Sequence, residues 1–323
     1  MAKTWREWEK PVLELEEMIQ KLRDALPNAS PEKAAKIEHE IERAEVAREN
    51  YIRIKYSRLG AWENTLISRA ESRPYTLDYI RAIVTDWIEL HGDRRCADDR
   101  AIIAGIGAIG DQSCVIVGHQ KGRDLQERKL RNFGMAKPEG YRKAIRMFDL
   151  ACRCGLPVIS FIDTPAADPG VESESRGISE AIAAGMMKMF SLRVPTVAVV
   201  IGEGGSGGAI GIGASNRVLM LEHSIYSVIP PEGCAAILWR NPDSGAQAAA
   251  ALRLTAQDAH NFGLVDEIIP ESFGGAHRGA AETAANVEAA IIRHLSELNA
   301  MTGEQLREDR YNRFRKLGVF EEA

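Results

Sequence analysis

Five glycines fall within the nine residues Ile201-Gly202-Glu203-Gly204-Gly205-Ser206-Gly207-Gly208-Ala209, directly behind the apolar run Pro195-Thr196-Val197-Ala198-Val199-Val200. That run reads as a buried parallel strand. Glycines at its end permit backbone conformations closed to other residues and let the main chain approach a ligand. A helix is expected to begin near Ala209, and first-turn amides have no partner within their own helix. Such amides suit an oxyanion hole, in which fixed donors face an oxygen that gains negative charge. A tight strand-to-helix turn or a phosphate loop would use similar glycines. The Walker A spacing fails because no Gly-Lys-Ser/Thr follows, and a dinucleotide fingerprint lacks its acidic strand end.

Alternating strands and helices must position this bend. Residues 3–70 are charge-rich and of helical period, with one apolar stripe from Val12 to Leu26 and another from Ile37 to Ile54. The break at Leu26–Pro31, with Ser30 as N-cap and Pro31 at the first helical position, predicts an antiparallel hairpin serving as an interaction element. Domain boundaries are expected at 1–72 for the hairpin and 73–323 for the remainder. Residues 73–100 read as a short helix running into Glu89-Leu90-His91-Gly92-Asp93-Arg94. Ala101–Ile109 and Ser113–Gly118 read as strands around a Gly110-Asp111 turn, followed by a helix over 140–154 and a strand over 157–162. A helix over 178–191 precedes the glycine stretch, and further strands are expected at 217–221, 224–229 and 265–269. The alternation implies a largely parallel α/β core, with ligands outside the carboxyl ends of its strands. Asp163-Thr164-Pro165 and the glycine bend are both strand ends, so they are expected to face one site.

Two features narrow the chemistry. Nine Lys and Arg against three acids lie between Lys121 and Arg146, which suggests a site for phosphates or carboxylates, with a solvated helix face as the competing reading. No nucleophile–base set is visible. His119, His223, His260 and His277 carry no partner signature, and Ser206 is not in a nucleophile elbow. An enzyme built this way would work by positioning and electrostatics.

The 323 residues are 45% hydrophobic and 27% charged, as in an ordinary globular protein, and the formal net charge of -5 argues against a general nucleic-acid binder. Five scattered cysteines match neither a zinc ribbon nor a disulfide framework. No stretch is apolar enough to span a bilayer and the first residues are charged, so cytoplasm is the expected location.

Arg73-Pro-Tyr-Thr-Leu-Asp-Tyr79, Gly118-His-Gln-Lys-Gly-Arg123, Arg131-Asn-Phe-Gly-Met135, Phe161-Ile-Asp-Thr-Pro165, Ile201-Gly-Glu-Gly-Gly-Ser-Gly-Gly-Ala209, Pro231-Glu-Gly-Cys234 and Gly274-Gly-Ala-His-Arg278 resemble the α subunits of the bacterial acetyl-CoA carboxylase carboxyltransferase. The resemblance runs over essentially the whole chain. It implies a crotonase-like ββα superhelix with an N-terminal helical hairpin and C-terminal helices. It also implies a heterotetramer of two α and two β subunits, with the zinc ribbon on β and no metal in this chain. The implied reaction moves a carboxyl group from biotin, borne on a biotin carboxyl carrier protein, to acetyl-CoA, giving malonyl-CoA for fatty acid synthesis. Carried over, Gly207 and Gly208 form the hole for the biotin oxygen, with Gly204 and Gly205 shaping the loop. Lys121, Arg123, Arg131, Asn132, Phe133, Gly134 and Met135 would line the CoA or biotin approach, with Asp163, Pro165 and Ala166 beside them.

The chain departs from the family pattern after Pro165. Ala166-Ala167-Asp168-Pro169-Gly170 stands where Gly-Ala-Tyr-Pro-Gly is usual, and Glu172 and Ser173 replace small residues. A diverged acyl-CoA carboxyltransferase or decarboxylase with altered substrate, or a non-catalytic regulatory paralogue, are the alternatives these departures motivate.

Overall fold

The computed structural model describes residues 7–318. It divides into two compact units, the first ending at Gly60 and the second starting at Ala61.

In the first unit the helices Lys10–Ala25 and Pro31–Tyr56 are joined by a 3-10 turn over Leu26–Asn28. Val12 and Ile19 of one and Ala44 and Ile52 of the other are buried, so both stripes find cover. Polar ties fix the pairing: Tyr51 donates to the Trp8 carbonyl at 2.7 Å, Tyr56 to Glu9 Oε1 at 2.7 Å, and Arg23 pairs with Glu45 at 2.6 Å. Ser30 occupies the N-cap position with extended backbone, yet its hydroxyl makes no capping bond.

The second unit is built on one mixed sheet of eight strands: β1 (Thr85–Glu89), β2 (Ile102–Ile109), β3 (Gln112–His119), β4 (Val158–Thr164), β5 (Thr196–Gly205), β6 (Arg217–Leu221), β7 (Ile225–Ser227) and β8 (Glu267–Ile269). The spatial order is β1-β2-β3-β4-β5-β6-β8, with β7 on β5. The first two pairings are antiparallel, and all those from β3 onward are parallel.

Successive side chains on a strand point to opposite faces, and both faces here are apolar. Val115, Val117, Val158, Ile162, Ala198 and Val200 point toward the helices Pro138–Cys154 and Ile178–Ser191. Ile116, Ile159, Phe161, Val197, Val199 and Ile201 point toward Thr76–Ile83 and Ala280–Leu298. Burial on both sides is why these strands read as continuous apolar runs.

Three elements differ from expectation. Residues 85–89 form an edge strand, not the tail of a helix. Strand β5 does not stop near Val200 but continues through Gly205, and its helix starts at Ser206, not Ala209, and ends at Ile210. The reason lies in pairing. The first half of β5 lies between β4 and β6, while Glu203–Gly205 pair with β7 and Gly204 stays opposite Thr164. Neighbours on both sides hold glycines extended against their weak β preference.

Candidate functional site

The carboxyl ends of β4 and β5 meet at the glycine bend. Ser206 turns the chain from strand to helix at φ +53°, a conformation rare outside glycine. Gly205 and Gly208 tolerate no side chain. A Cβ on Gly205 would lie 2.0 Å from the Pro165 carbonyl oxygen, and one on Gly208 would lie 2.6 Å from the Ala166 carbonyl carbon. The bend is therefore pressed onto Pro165-Ala166-Ala167 main chain to main chain. Gly207 faces the other way, where a Cβ would meet only Ile182 Cδ1 at 3.4 Å.

As first-turn residues, Gly207 and Gly208 have no carbonyl within the helix to receive their N–H groups. Among the described residues, no carbonyl outside the helix accepts them either. Tyr141 Oη donates to the Gly208 carbonyl at 3.3 Å, anchoring the turn from below. Two free amides at one bend, one of them partly exposed, can hold an anionic oxygen.

Behind the bend is a chain of charge, buried at Asp163 and Glu203 and open to solvent at its Arg69–Glu232 end. Lys121 Nζ lies 2.7 Å from Asp163 Oδ1 and 2.8 Å from Glu203 Oε2. Arg69 reaches Glu203 Oε1 at 2.6 Å and Glu232 at 2.5 Å. The Glu203 amide donates to Asp163 Oδ1 at 2.9 Å. Burial would raise the Glu203 carboxyl, but Lys121 and Arg69 outweigh it and hold it at about 2. Burial pushes the Asp163 carboxyl up against the pull of Lys121. A second knot ties β5 to the segment after β8: buried Arg73 pairs with Glu271 at 2.5 Å and donates to the Ile201 carbonyl at 2.7 Å. His119 is wholly buried near the Phe161 and Gly208 carbonyls, and neither ring nitrogen reaches hydrogen-bond geometry.

Gly204, Gly205, Gly207, Gly208, Asp163, Pro165, Ala166, Lys121 and Gly134 thus come together. Lys121, however, is spent on carboxylates beneath the surface. The Asn132–Gly134 turn seals it, since a Cβ on Gly134 would sit 2.8 Å from Lys121 Cγ. Asn132, Phe133 and Gly134 are successive left-handed residues, and the Phe133 ring is exposed. Asn132 Nδ2 closes the turn on the Met135 carbonyl at 2.9 Å. Two arginines stand apart. Arg123 lies over the Tyr75 ring at 4.1 Å and pairs with Asp78, while Arg131 is held by Glu127 at 2.9 Å and the Arg100 carbonyl at 3.0 Å.

The departures at Asp168 and Ser173 complement one another: Ser173 Oγ donates to Asp168 Oδ2 at 2.5 Å. Burial raises the Asp168 carboxyl, but hydrogen bonds from Ser173 and Asn132 bring it below the usual range. The residues sequence reasoning missed are Glu203, Arg69, Glu232 and Tyr141. The one available signal was an acid, Glu203, set among glycines behind a buried strand.

Comparison with known proteins gives this geometry a family. Residues 5–318 match the family described as acetyl co-enzyme A carboxylase carboxyltransferase-like. The acetyl-coenzyme A carboxylase carboxyl transferase subunit alpha of Thermosynechococcus vestitus is 49% identical over 317 residues, covering 98% of this chain and 97% of its own. That of Geobacter metallireducens is 48% identical, with 98% of each chain covered. Among solved structures, transcarboxylase 12S aligns with a TM-score of 0.58 at 18% identity, covering 71% of this chain and 42% of its own. A Pseudomonas malonate decarboxylase hetero-tetramer aligns with a TM-score of 0.58 at 15% identity, covering 74% and 94%. These two likenesses speak to the fold alone, which is the α/β, crotonase-like fold of carboxyltransferases. The near-complete coverage by the curated relatives decides the rest: the chain belongs to the family of acetyl-CoA carboxylase carboxyl transferase α subunits.

Proposed function

We propose that this chain, together with a zinc-ribbon β subunit in an α2β2 assembly, transfers a carboxyl group from biotin on a carrier protein to acetyl-CoA, yielding malonyl-CoA. The observation that carries this reading is the pair of unaccepted amides on Gly207 and Gly208 at the joined ends of β4 and β5. The residues present suit a planar cyclic urea: Gly207 leaves its Cα side open, and its N–H lies in the first turn of a helix. When bound, carboxybiotin would supply both the carboxyl group and, after losing it, the base.

The chain's own work is to hold and to exclude. The Gly207 and Gly208 amides hold a developing oxyanion, an interaction realised mainly as charge builds, and so it lowers the barrier more than it strengthens binding. Pressing Gly208 onto Ala166-Ala167 fixes the direction of both amides before substrate arrives. The Asp163–Lys121–Glu203–Arg69 chain locks the two strand ends together. Lys121 is held in its charged form by two carboxylates, so it is not a proton acceptor at neutral pH. No side chain at the bend is then required as general base, consistent with the missing nucleophile–base set.

The test is reconstitution. The purified chain alone is expected to make no malonyl-CoA, and to do so once co-purified with a zinc-ribbon β chain and supplied with carboxylated carrier. Full-rate carboxylation by the chain alone would overturn a site shared between subunits.

A further inference from the structure

A second polar cleft, of about 300 Å³, opens between the 92–98 loop and the helices Pro138–Cys154 and Ile178–Ser191. It is distinct from the glycine bend. The bend touches Ile182 of the latter helix, whereas the cleft is walled by Glu180 and Ala184.

Four arginines line it: Arg94, Arg95, Arg142 and Arg146. Its three carboxylates each have partners, although Asp93 Oδ2 is buried without a hydrogen bond. Asp93 Oδ1 accepts the amides of Arg95, Cys96 and Ala97 at 2.8, 2.8 and 3.1 Å, which folds the loop around it. Asp149 pairs with Lys188 at 2.5 Å, and Glu180 lies 3.9 Å from Arg142. Among the described residues, Arg94, Arg95 and Arg146 form no ion pair within 4.0 Å. Arg146 is nonetheless fixed, donating through Nε to the Gly92 carbonyl at 3.0 Å and through a terminal nitrogen to the His91 carbonyl at 3.1 Å. Arg94 is presented from a left-handed backbone at φ +62°. Burial and the charge on Arg94 make the Arg146 guanidinium easier to deprotonate than usual, against the opposing pull of Asp98 and Asp93. Asp93 and Asp98 offset part of the repulsion between these like charges, and a bound anion relieves the rest. Guanidinium forks match phosphate oxygens in pairs.

We infer that this arginine cleft is a binding site for a phosphoryl group, the ligand being a phosphorylated small molecule held by Arg94, Arg95 and Arg146. The phosphate could belong to the nucleotide end of a CoA thioester or to a free nucleotide or inorganic phosphate. The shared chemistry is the same, and competition separates the sources. The inference is independent of the proposed carboxyl transfer, since the glycine bend plays no part in it.

The experiment is titration calorimetry of the full-length chain with inorganic pyrophosphate. Saturable binding is expected, weakening as salt rises and falling at least about tenfold in Arg94→Gln with Arg95→Gln, both exposed and unpaired. Arg146→Gln, checked for an unchanged melting temperature, should weaken it similarly. Displacement of pyrophosphate by 3′,5′-ADP but not ADP would assign the group to a CoA thioester, displacement by ADP to a free nucleotide, and displacement by neither to inorganic phosphate. Absence of saturable binding, or equal affinity in wild type and the Arg94/Arg95 double variant, overturns the inference. The Gly208→Ala variant should bind pyrophosphate as wild type does, keeping this outcome separate from any loss of carboxyl transfer.

Discussion

Lys121 poses a sharp choice, because its place among basic residues points to a ligand while its geometry points to a buried clamp. Lys121→Met keeps the length and much of the apolar stem but removes the charge. In the wild type, Nζ sits between Asp163 at 2.7 Å and Glu203 at 2.8 Å, and the side chain is 13% exposed. Without it, Glu203 keeps Arg69 at 2.6 Å, whereas Asp163 keeps only the Glu203 amide at 2.9 Å. Stranding a buried carboxylate costs about 3–5 kcal/mol, a large part of the stability of an ordinary domain. The cost should itself depend on pH. Burial already raises the Asp163 carboxyl, and losing its cation raises it further. A group raised above its unfolded value destabilises while ionised, so the gap to wild type should narrow as pH falls from 8 toward 5. Urea unfolding of the isolated chain at both pH values measures it, and adding Asp163→Asn to Lys121→Met should recover part of the loss. A stability change under about 1 kcal/mol, with a raised KM in the reconstituted enzyme, would refute the clamp and restore a ligand-facing lysine.

Other consequences follow from the same geometry. Gly208→Ala places a Cβ 2.6 Å from Ala166 and must shift the bend, so kcat of the reconstituted enzyme should fall roughly 10²–10³-fold with little change in KM. Gly207→Ala, whose Cβ meets only Ile182 at 3.4 Å, should lose far less. Equal losses in the two would contradict the packing. Glu203 and Glu271 are each held at about 2 by buried cations. Carboxyls so depressed stabilise the fold above their unfolded value and lose that contribution as pH drops from about 4.5 toward 2, on the order of 3 kcal/mol each. Urea midpoints should therefore fall steeply between pH 5 and 3, and less steeply in Glu203→Gln.

Much of the fold was legible because its strands are buried on both faces. Runs such as Val115–Val117 and Val197–Val200 are apolar without interruption, and the helix Ile178–Ser191 stands between clear breaks. Strand β1 was not legible. It lies at the sheet edge, its residues are largely exposed, and Asp86 at φ +51° breaks the alternation. The far half of β5 was hidden for a different reason, since five of its ten residues beyond Val200 include three glycines whose extension is imposed by β4 and β7. At the site, the convergence of two strand ends was readable from topology, and the glycines from their number. The charge chain was not, because Lys121 and Glu203 lie 82 residues apart and Arg69 and Glu232 163 apart. A basic segment read alone looks like a ligand site, and only the folded chain reveals which cations are already paired.

The most direct measurement is a crystal structure of this chain in complex with its β partner and biotin. The biotin ureido oxygen should lie about 2.7–3.1 Å from the amide nitrogens of both Gly207 and Gly208. Biotin seated elsewhere, or either amide bonded to a protein carbonyl in the complex, would contradict the account.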